Sequence, residues 1–466
     1  MSRGFAHLLT GTVIGRGFSF LLNIGISRIL GPSQLGLFAL IFNAVQSFEL
    51  FTKLGLDYSL SLSLTEALPD KTTYRSQSSI QTIQMVLAIL LVSVSVGCFL
   101  FWLWLSPGSN YLPETLGDSR NSIVGYLLLI CVLESISSFC WDTFISLAKT
   151  KFVALRYAIF IPIKLFSFLL GCLLNGFAGG LAAYAITSFV VLIVLLFRMP
   201  SRSILIKLNL AALPKYFELI SSGFGLYIVN ALTALVYLPL WASLAASSGF
   251  DQLGYLRVGQ LMVQGFSLIP GSLLPAYFLK LRLESTDKIL STKILFLTWS
   301  LSLSAFTLYS VTAKPLTVAL FGSQFLSSFD AGRTLILVSI IDSLVQILHT
   351  PYLAKKQINY FLVIQLMPVL LVFLFGSSVV SVFELEGFLA LKLISSLIPF
   401  SLYLAIDIRS RSSAFKAYDL ALITLALSIL CFQPLNSWWL LGSYLLASVY
   451  CASKFIFLIR GASWKP

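Results

Sequence analysis

Apolar stretches long enough to cross a lipid bilayer recur along the whole chain, and they constrain the fold more than any other feature. A hydrocarbon core of roughly 30 Å requires about 20 apolar residues in a helix. With 58% hydrophobic and only 11% charged residues over 466 positions, the chain cannot bury this surface as a soluble globule. Inside a bilayer each backbone amide must be paired within its own segment, so the sequence predicts an all-α integral membrane protein.

The hydropathy pattern predicts about fourteen transmembrane helices in three groups. A basic segment at 198–215 separates a first lobe of six spans (1–200) from a second lobe of six (201–406), and a polar break at 407–416 sets apart two C-terminal helices (407–466). No cleavable signal is expected, because Arg16 interrupts the first apolar stretch. The predicted spans are 8–29, 35–63, 80–105, 122–147, 153–174, 178–197, 217–246, 253–279, 292–312, 330–353, 359–380, 386–406, 418–434 and 438–459.

The net charge of +13 comes from basic residues in short loops between apolar spans, a distribution that indicates membrane topology and not a nucleic-acid-binding surface. Most lysines and arginines fall in alternate loops, such as those that contain Lys71, Lys149, Arg156 and Lys288. Because basic loops stay in the cytoplasm, this alternation predicts that both termini are cytoplasmic. The six cysteines lack paired spacing, so no disulfide framework and no metal site are predicted, and no motif indicates a cofactor.

Two turns half a protein apart share the same residues. Gly31, followed by Pro32, is typical of a position that ends one helix and opens the next. The pattern returns 218 residues later, where Gly249 aligns with Gly31 and Gly254 aligns with Gly36. This repetition predicts two lobes related by an internal repeat, as in transporters.

Some charged residues lie within the predicted spans. Each basic residue there costs about 2.5–3.5 kcal/mol at the centre of a lipid-facing helix, so we expect these side chains to face a polar interior. Arg16 and Arg257 have no acidic residue at helical spacing, so their charge is expected to be available to a ligand. The intramembrane basic residues are Arg16, Lys53, Lys164, Arg257 and Lys392, and the polar residues at helical spacing around them include Asn23, Gln46, Gln260 and Gln264.

Acidic residues in the spans leave two interpretations open. Glu49 and Asp57 lie four residues before and after Lys53, so they either neutralise it as a structural clip or take part in ion coupling. Asp342 is a further candidate for ion coupling, with hydrogen bonding between helices as the alternative.

The first hairpin carries a family resemblance. The run 27–60, SRILGPSQLGLFALIFNAVQSFELFTKLGLDYSL, resembles the first hairpin of bacterial polysaccharide-biosynthesis membrane proteins. These are the Wzx-type flippases of the multidrug/oligosaccharidyl-lipid/polysaccharide exporter superfamily. The segments 321–325 (FGSQF), 148–152 (AKTKF) and 354–358 (AKKQI) are also similar to that family.

The resemblance implies a function and a ligand. It implies transport of an oligosaccharide on undecaprenyl diphosphate, such as an O-antigen unit of lipopolysaccharide, from the cytoplasmic to the outer leaflet of the bacterial inner membrane. The related lipid II flippases use cationic residues on spans one, two and eight, which implies that Arg16, Lys53 and Arg257 bind the diphosphate. Membrane lipid and glycan polymerase or ligase proteins are the other partners that the resemblance implies.

Two other classes of function remain as alternatives. A cation-coupled multidrug antiporter of the same superfamily shares the fold but favours acidic, aromatic-lined binding faces. A membrane glycan polymerase, ligase or glycosyltransferase typically carries a large outer loop with catalytic residues, whereas the longest predicted outer loop here, 106–120, is short. Because the sequence also lacks the motifs of known catalytic sites, a transporter and not an enzyme is predicted.

Overall fold

The described part of the protein is almost entirely helical. A computed structural model describes residues 2–55, 86–87, 89–98, 119–147, 149–199, 213–264, 306, 309, 312–354 and 358–409. Within these ranges the chain contains helices and short turns but no strand, which confirms the predicted all-α class for this part of the chain. The predicted spans 418–434 and 438–459 and most of the predicted lobe linker lie outside the described residues.

The helices form two compact units, Met1–Gly254 and Tyr255–Pro466. A π-helical turn, Arg156–Phe160, joins two of the helices, and a 3₁₀ turn, Ser323–Phe325, follows another. In chain order the helices are α1 (Ser2–Thr52), α2 (Ile89–Cys98), α3 (Ser119–Ser146), α4 (Thr150–Leu155), α5 (Ile161–Arg198), α6 (Leu213–Ser248), α7 (Phe250–Gln264), α8 (312–321), α9 (Ser328–Ala354) and α10 (Ile358–Arg409).

The described helices include six that are long and apolar enough to cross a membrane. Large apolar side chains point outward from them: Phe197 is 86% exposed and Leu174 is 80% exposed. Such side chains are unfavourable in water but are the ones that contact acyl chains in a bilayer. The chain is therefore a multi-pass membrane protein. The six stretches are Thr10–Thr52, Ser122–Ser146, Lys151–Arg198, Tyr227–Ser248, Ser328–Tyr352 and Tyr360–Tyr403.

Helix α1 is a hairpin that reverses at Gly31, as the sequence predicts. Gly31 has a φ of +68°, which interrupts the helix. Before it, a Cβ on Gly25 would lie 3.4 Å from Leu169 Cδ2; after it, the rings of Phe38 and Phe168 lie 4.7 Å apart. Because residues on both sides of Gly31 contact the same level of α5, the chain turns back on itself there.

Helices α5 and α10 reverse in the same way. In α5 the backbones of Gly171 and Gly179 approach so closely that a Cβ on Gly171 would overlap the Gly179 oxygen. In α10 a Cβ on Gly387 would lie 2.7 Å from the Val379 oxygen. Residues eight apart in a straight helix are separated by about 12 Å along the axis, so both contacts require a reversal.

Helix α1 ends before the predicted boundary of the second span at residue 63. Leu54 and Gly55 have φ values of 52° and 69°, which cannot continue a right-handed helix. The helix therefore ends at Thr52, and Lys53 lies in the turn that follows. Asp57, predicted on the same helical face, lies outside the described residues.

The turn between α6 and α7 repeats the turn within α1. Gly249 has a φ of +83°, which is the left-handed region that Gly31 also occupies. Glycine reaches this region without the steric penalty of a Cβ atom. The two glycines that the sequence pattern aligns thus share a positive φ.

The residues that follow these two turns contact each other through glycines. A Cβ on Gly36 would overlap the carbonyl oxygen of Phe250, and one on Gly254 would overlap the carbonyl oxygen of Pro32. The offset of 218 residues maps Gly36 onto Gly254 and Pro32 onto Phe250. The contact is therefore reciprocal, with each glycine packed on the start of the other helix.

We expect Gly36→Ala to lower the free energy of unfolding by about 1–3 kcal/mol, because the added Cβ meets backbone that only a helix displacement can move. The thermal midpoint of the purified full-length protein measures the effect. Gly17→Ala on the same helix is the matched control, since nothing lies within 4 Å of a Cβ there. It should be neutral or stabilise by up to about 1 kcal/mol. Equal midpoints for Gly36→Ala and the wild type would contradict the close contact.

Candidate functional site

The first unit contains a cluster of charged side chains among its membrane-spanning helices. The cluster combines three carboxylates with three cations, and it lies where α1, α3, the π-helical turn and α5 pack together. The electrostatic interactions among its members connect all four elements. The carboxylates are Glu49, Glu134 and Asp142, and the cations are Lys53, Arg156 and Lys164.

Lys53 bridges two of these carboxylates. Its Nζ lies 2.9 Å from Glu49 Oε1 and 3.0 Å from Asp142 Oδ2. The Ser138 hydroxyl donates a hydrogen bond to the Glu49 carboxylate. The pairing of Glu49 with Lys53 at a spacing of four is thus present. The second carboxylate comes from α3 and could not be inferred from spacing. In this conformation Lys53 joins the end of α1 to α3.

Lys164 forms a second, more deeply buried pair. Its Nζ lies 2.6 Å from Glu134 Oε1, and the side chain of Lys164 is buried. The Ser188 hydroxyl donates to the same carboxylate oxygen at 2.7 Å, and the Tyr184 hydroxyl also donates toward Glu134. The Lys164 ammonium lies 5.9 Å from the centroid of the Tyr184 ring. This carboxylate is well supplied with donors, which favours a structural role for the pair.

The sequence pattern predicts that Arg156 lies in a cytoplasmic loop. In the structure it lies in the helical run formed by α4, the π-helical turn and α5. The π-helical turn holds its guanidinium 5.7 Å from the centroid of the Trp141 ring and 5.8 Å from that of Tyr157. The Glu49 carboxylate acts on Arg156 electrostatically, but no carboxylate of the described residues forms an ion pair with it. Its contacts are with aromatic faces, so its N–H donors remain available.

Arg16 is the further cation beside this cluster. It lies on α1 with an exposed side chain, and it interacts electrostatically with Tyr157. The backbones are close at this level, because a Cβ on Gly15 would overlap the Tyr157 oxygen. No carboxylate of the described residues forms an ion pair with Arg16. Together with Arg16, the cluster has four cations for three carboxylates.

The predicted polar residues of α1 differ in their exposure. Asn23 is 4% exposed and donates from Nδ2 to the Ser19 oxygen at 2.7 Å, while its Oδ1 has no hydrogen-bond partner in the part of the chain that the structure describes. Gln46 is exposed, on the half of the hairpin that follows Gly31. Asn23 therefore bonds to its own helix, whereas Gln46 presents its amide outward.

Arg257 in the second unit is a half-buried cation that lies among the described residues without an ion pair. It lies on α7, and its Nε is enclosed and has no hydrogen-bond partner among the described residues. No described carboxylate forms an ion pair with it. Gln260 is half-buried and Gln264 is exposed on the same helix. An enclosed N–H group without a hydrogen-bond partner is costly, so this position needs an explanation beyond stability.

Asp342 on α9 faces two residues of α10. Its carboxylate interacts with the Ser396 hydroxyl and electrostatically with the Lys392 ammonium. This is the hydrogen bonding between helices that the sequence analysis gives as the alternative to ion coupling. The arrangement is compatible with both roles, because a carboxylate held in this way can also exchange its partner.

Comparison with solved structures identifies the fold. No family model matches the sequence, and no curated protein matches it. The structure of the lipid II flippase MurJ in an inward closed conformation is similar over 97% of this chain and 98% of its own, with a TM-score of 0.69 and 12% identity. The MATE multidrug transporter DinF-BH gives a TM-score of 0.63 at 13% identity, over 88% of this chain and 96% of its own. The chain has the fold of the MOP-superfamily transporters.

A third similar structure is that of a MOP-superfamily transporter from Pyrococcus furiosus, whose binding pocket is reported to have reversed polarity. That structure has a TM-score of 0.58 and 13% identity, and it covers 88% of this chain and 96% of its own. At such identities the likeness shows the fold and leaves the substrate to be argued from the residues. The MOP fold extends over more of this chain in the lipid II flippase than in the two other transporters.

Proposed function

We propose that this protein is a flippase that moves an undecaprenyl-diphosphate-linked oligosaccharide from the cytoplasmic to the outer leaflet of the bacterial inner membrane. The observation that carries this proposal is the enclosed Nε of Arg257, which has no hydrogen-bond partner among the described residues, on a guanidinium group that forms no ion pair with a described carboxylate. A phosphate group supplies the missing partner, because guanidinium and phosphate form two parallel charge-assisted hydrogen bonds.

The diphosphate is the part of the substrate that these cations recognise. Arg16, which also forms no ion pair with a described carboxylate, is the second proposed ligand. Lys53 binds the diphosphate only after it leaves Glu49 and Asp142, so substrate contact and rearrangement of that network are coupled. This links Glu49 to the proposed ion coupling, and Asp342 is a further candidate for it in the second unit.

The remaining parts of the substrate match other features of the chain. Gln46, Gln260 and Gln264 carry amide side chains, a group that can hydrogen-bond sugar hydroxyls, while the polyprenyl chain stays in the lipid. The extent of the likeness to a lipid II flippase supports a lipid-linked substrate. We further propose fourteen spans, lobes at 1–200 and 201–406 that alternate in access, and cytoplasmic termini. A glycan polymerase or ligase would then receive the exported unit.

Deletion of the gene in its native host tests the function. We expect surface glycan to be lost and lipid-linked oligosaccharide to accumulate on the inner leaflet, with unchanged drug sensitivity. Expression of the wild-type chain should restore the glycan, and the empty vector is the control. Normal glycan together with increased drug sensitivity would favour the multidrug antiporter. Lipid-linked single units on the outer leaflet, unpolymerised, would favour the membrane enzyme.

A further inference from the structure

The π-helical turn at Arg156–Phe160 changes which side chains share a face. A π-helical turn contains one more residue than an α-helical turn, which rotates the preceding residues by roughly 100° relative to those that follow. Arg156 and Lys164 are eight residues apart and would diverge by about 80° on a regular helix. With the extra residue the two side chains face the same direction. Arg156 interacts electrostatically with Tyr184, and the Lys164 ammonium lies over the Tyr184 ring.

Two aromatic rings support the Arg156 guanidinium without using its hydrogen-bond donors. Trp141 is buried, and its ring is held by Phe144 and Phe152 at centroid distances of 6.1 and 5.4 Å. A guanidinium that packs on an aromatic face keeps its N–H groups in the plane of the group, where they can bind an oxyanion. Arg156 is therefore fixed in place but unpaired with any described carboxylate.

Arg16 and Arg156 both lie beside Tyr157. Arg156 lies over the ring of Tyr157, and Arg16 interacts with the same side chain from α1. Glu49, the carboxylate that acts on Arg156, is already paired with Lys53. Two guanidinium groups on neighbouring elements thus have no carboxylate paired with them among the described residues. Two like charges repel each other, and an anion that contacts both, such as a diphosphate, is attracted by both at once.

We propose that Arg16, Arg156 and Tyr157 form a diphosphate-binding cradle within the first unit. The inference rests on the proposed function and adds a residue to it, Arg156, that no sequence pattern indicated. The neighbouring Lys149 and Lys151 are exposed and belong to a segment predicted to be cytoplasmic. The cradle therefore loads the diphosphate from the cytoplasmic side before Arg257 takes part.

Binding of farnesyl diphosphate to the purified full-length protein tests the cradle, with farnesol as the control that lacks the anion. The wild type should bind the diphosphate at least tenfold more tightly than farnesol in a calorimetric titration. Arg156→Gln should weaken that binding about tenfold or more, because it removes a charge-assisted pair. Arg198→Gln, an exposed arginine at the end of α5, is the matched control and should bind as the wild type does.

The wild-type protein offers a second measurement that does not depend on how a variant folds. Farnesyl diphosphate should protect Arg156 and Arg16, but not Arg198, from phenylglyoxal, as read by mass spectrometry. If the wild type binds farnesol and farnesyl diphosphate equally, the proposed function itself is wrong. If the diphosphate is preferred and Arg16 is protected, but Arg156 is modified at the same rate with and without it, only the assignment of Arg156 is overturned.

Discussion

Replacing Arg257 by glutamine is expected to reduce glycan export by roughly thirtyfold to several thousandfold while the amount of folded protein stays the same or rises. Loss of one partner from a buried charge pair costs about 2–5 kcal/mol, and each 1.4 kcal/mol corresponds to a factor of ten. The Nε of Arg257 is enclosed without a hydrogen-bond partner among the described residues, so glutamine removes a destabilising charge from the fold. Function and stability should therefore change in opposite directions.

Surface glycan and the thermal midpoint of the purified variant measure these two effects. Lys314→Gln is the matched control, because Lys314 is an exposed cation of the same unit. Arg257→Lys keeps the charge but loses the forked geometry, so intermediate export is expected. Wild-type glycan in cells that express only Arg257→Gln would refute the site in the second unit.

Lys164→Met is expected to lower the free energy of unfolding by about 3–5 kcal/mol, because it leaves Glu134 enclosed without a cation. The double variant Lys164→Met/Glu134→Leu should recover most of this loss, since an apolar pair of similar volume removes both desolvation costs. Unfolding of the purified protein by denaturant in detergent measures the differences. Lys151→Met on α4 is the control, since that lysine is exposed.

The double variant also separates the energy of the Lys164–Glu134 ion pair from that of the hydrogen bonds that Ser188 and Tyr184 donate to Glu134. If Lys164→Met is as stable as the wild type, the ion pair is not desolvated and the prediction is wrong. If the single and double variants are equally unstable, the hydrogen bonds of Ser188 and Tyr184 to Glu134 contribute more to stability than the ion pair with Lys164 does. That result would contradict the prediction that the ion pair accounts for most of the loss. The coupling energy from the full cycle with Glu134→Leu decides between these outcomes.

Local features of the fold were predictable from the sequence. Gly31 and Gly249 were predicted as equivalent turns for two reasons. A left-handed backbone position favours glycine, and the residues that follow the two glycines match at the same spacing. The pair between Glu49 and Lys53 was predictable as one alternative, since residues four apart share a face of a helix. Patterns of this kind depend only on neighbouring residues.

Contacts between helices were not predictable in the same way. Lys164 and Glu134 are separated by 30 positions and lie on different helices, so no helical spacing connects them. The position of Arg156 depends on the π-helical turn, which has no residue signature, and on the Trp141 ring, which comes from another helix. The sequence analysis assigned Arg156 to a loop together with Lys149 and Lys151, because a group of basic residues usually lies in a cytoplasmic loop.

The reciprocal contact between the two glycine turns limits which side chains either position can carry. Gly36 packs on Phe250 as Gly254 packs on Pro32, so the surface reads the same from either side, as in the interface of a two-fold symmetric homodimer. A Cβ added at either glycine meets the backbone of the other helix, so the spacing of the two helix starts depends on both positions.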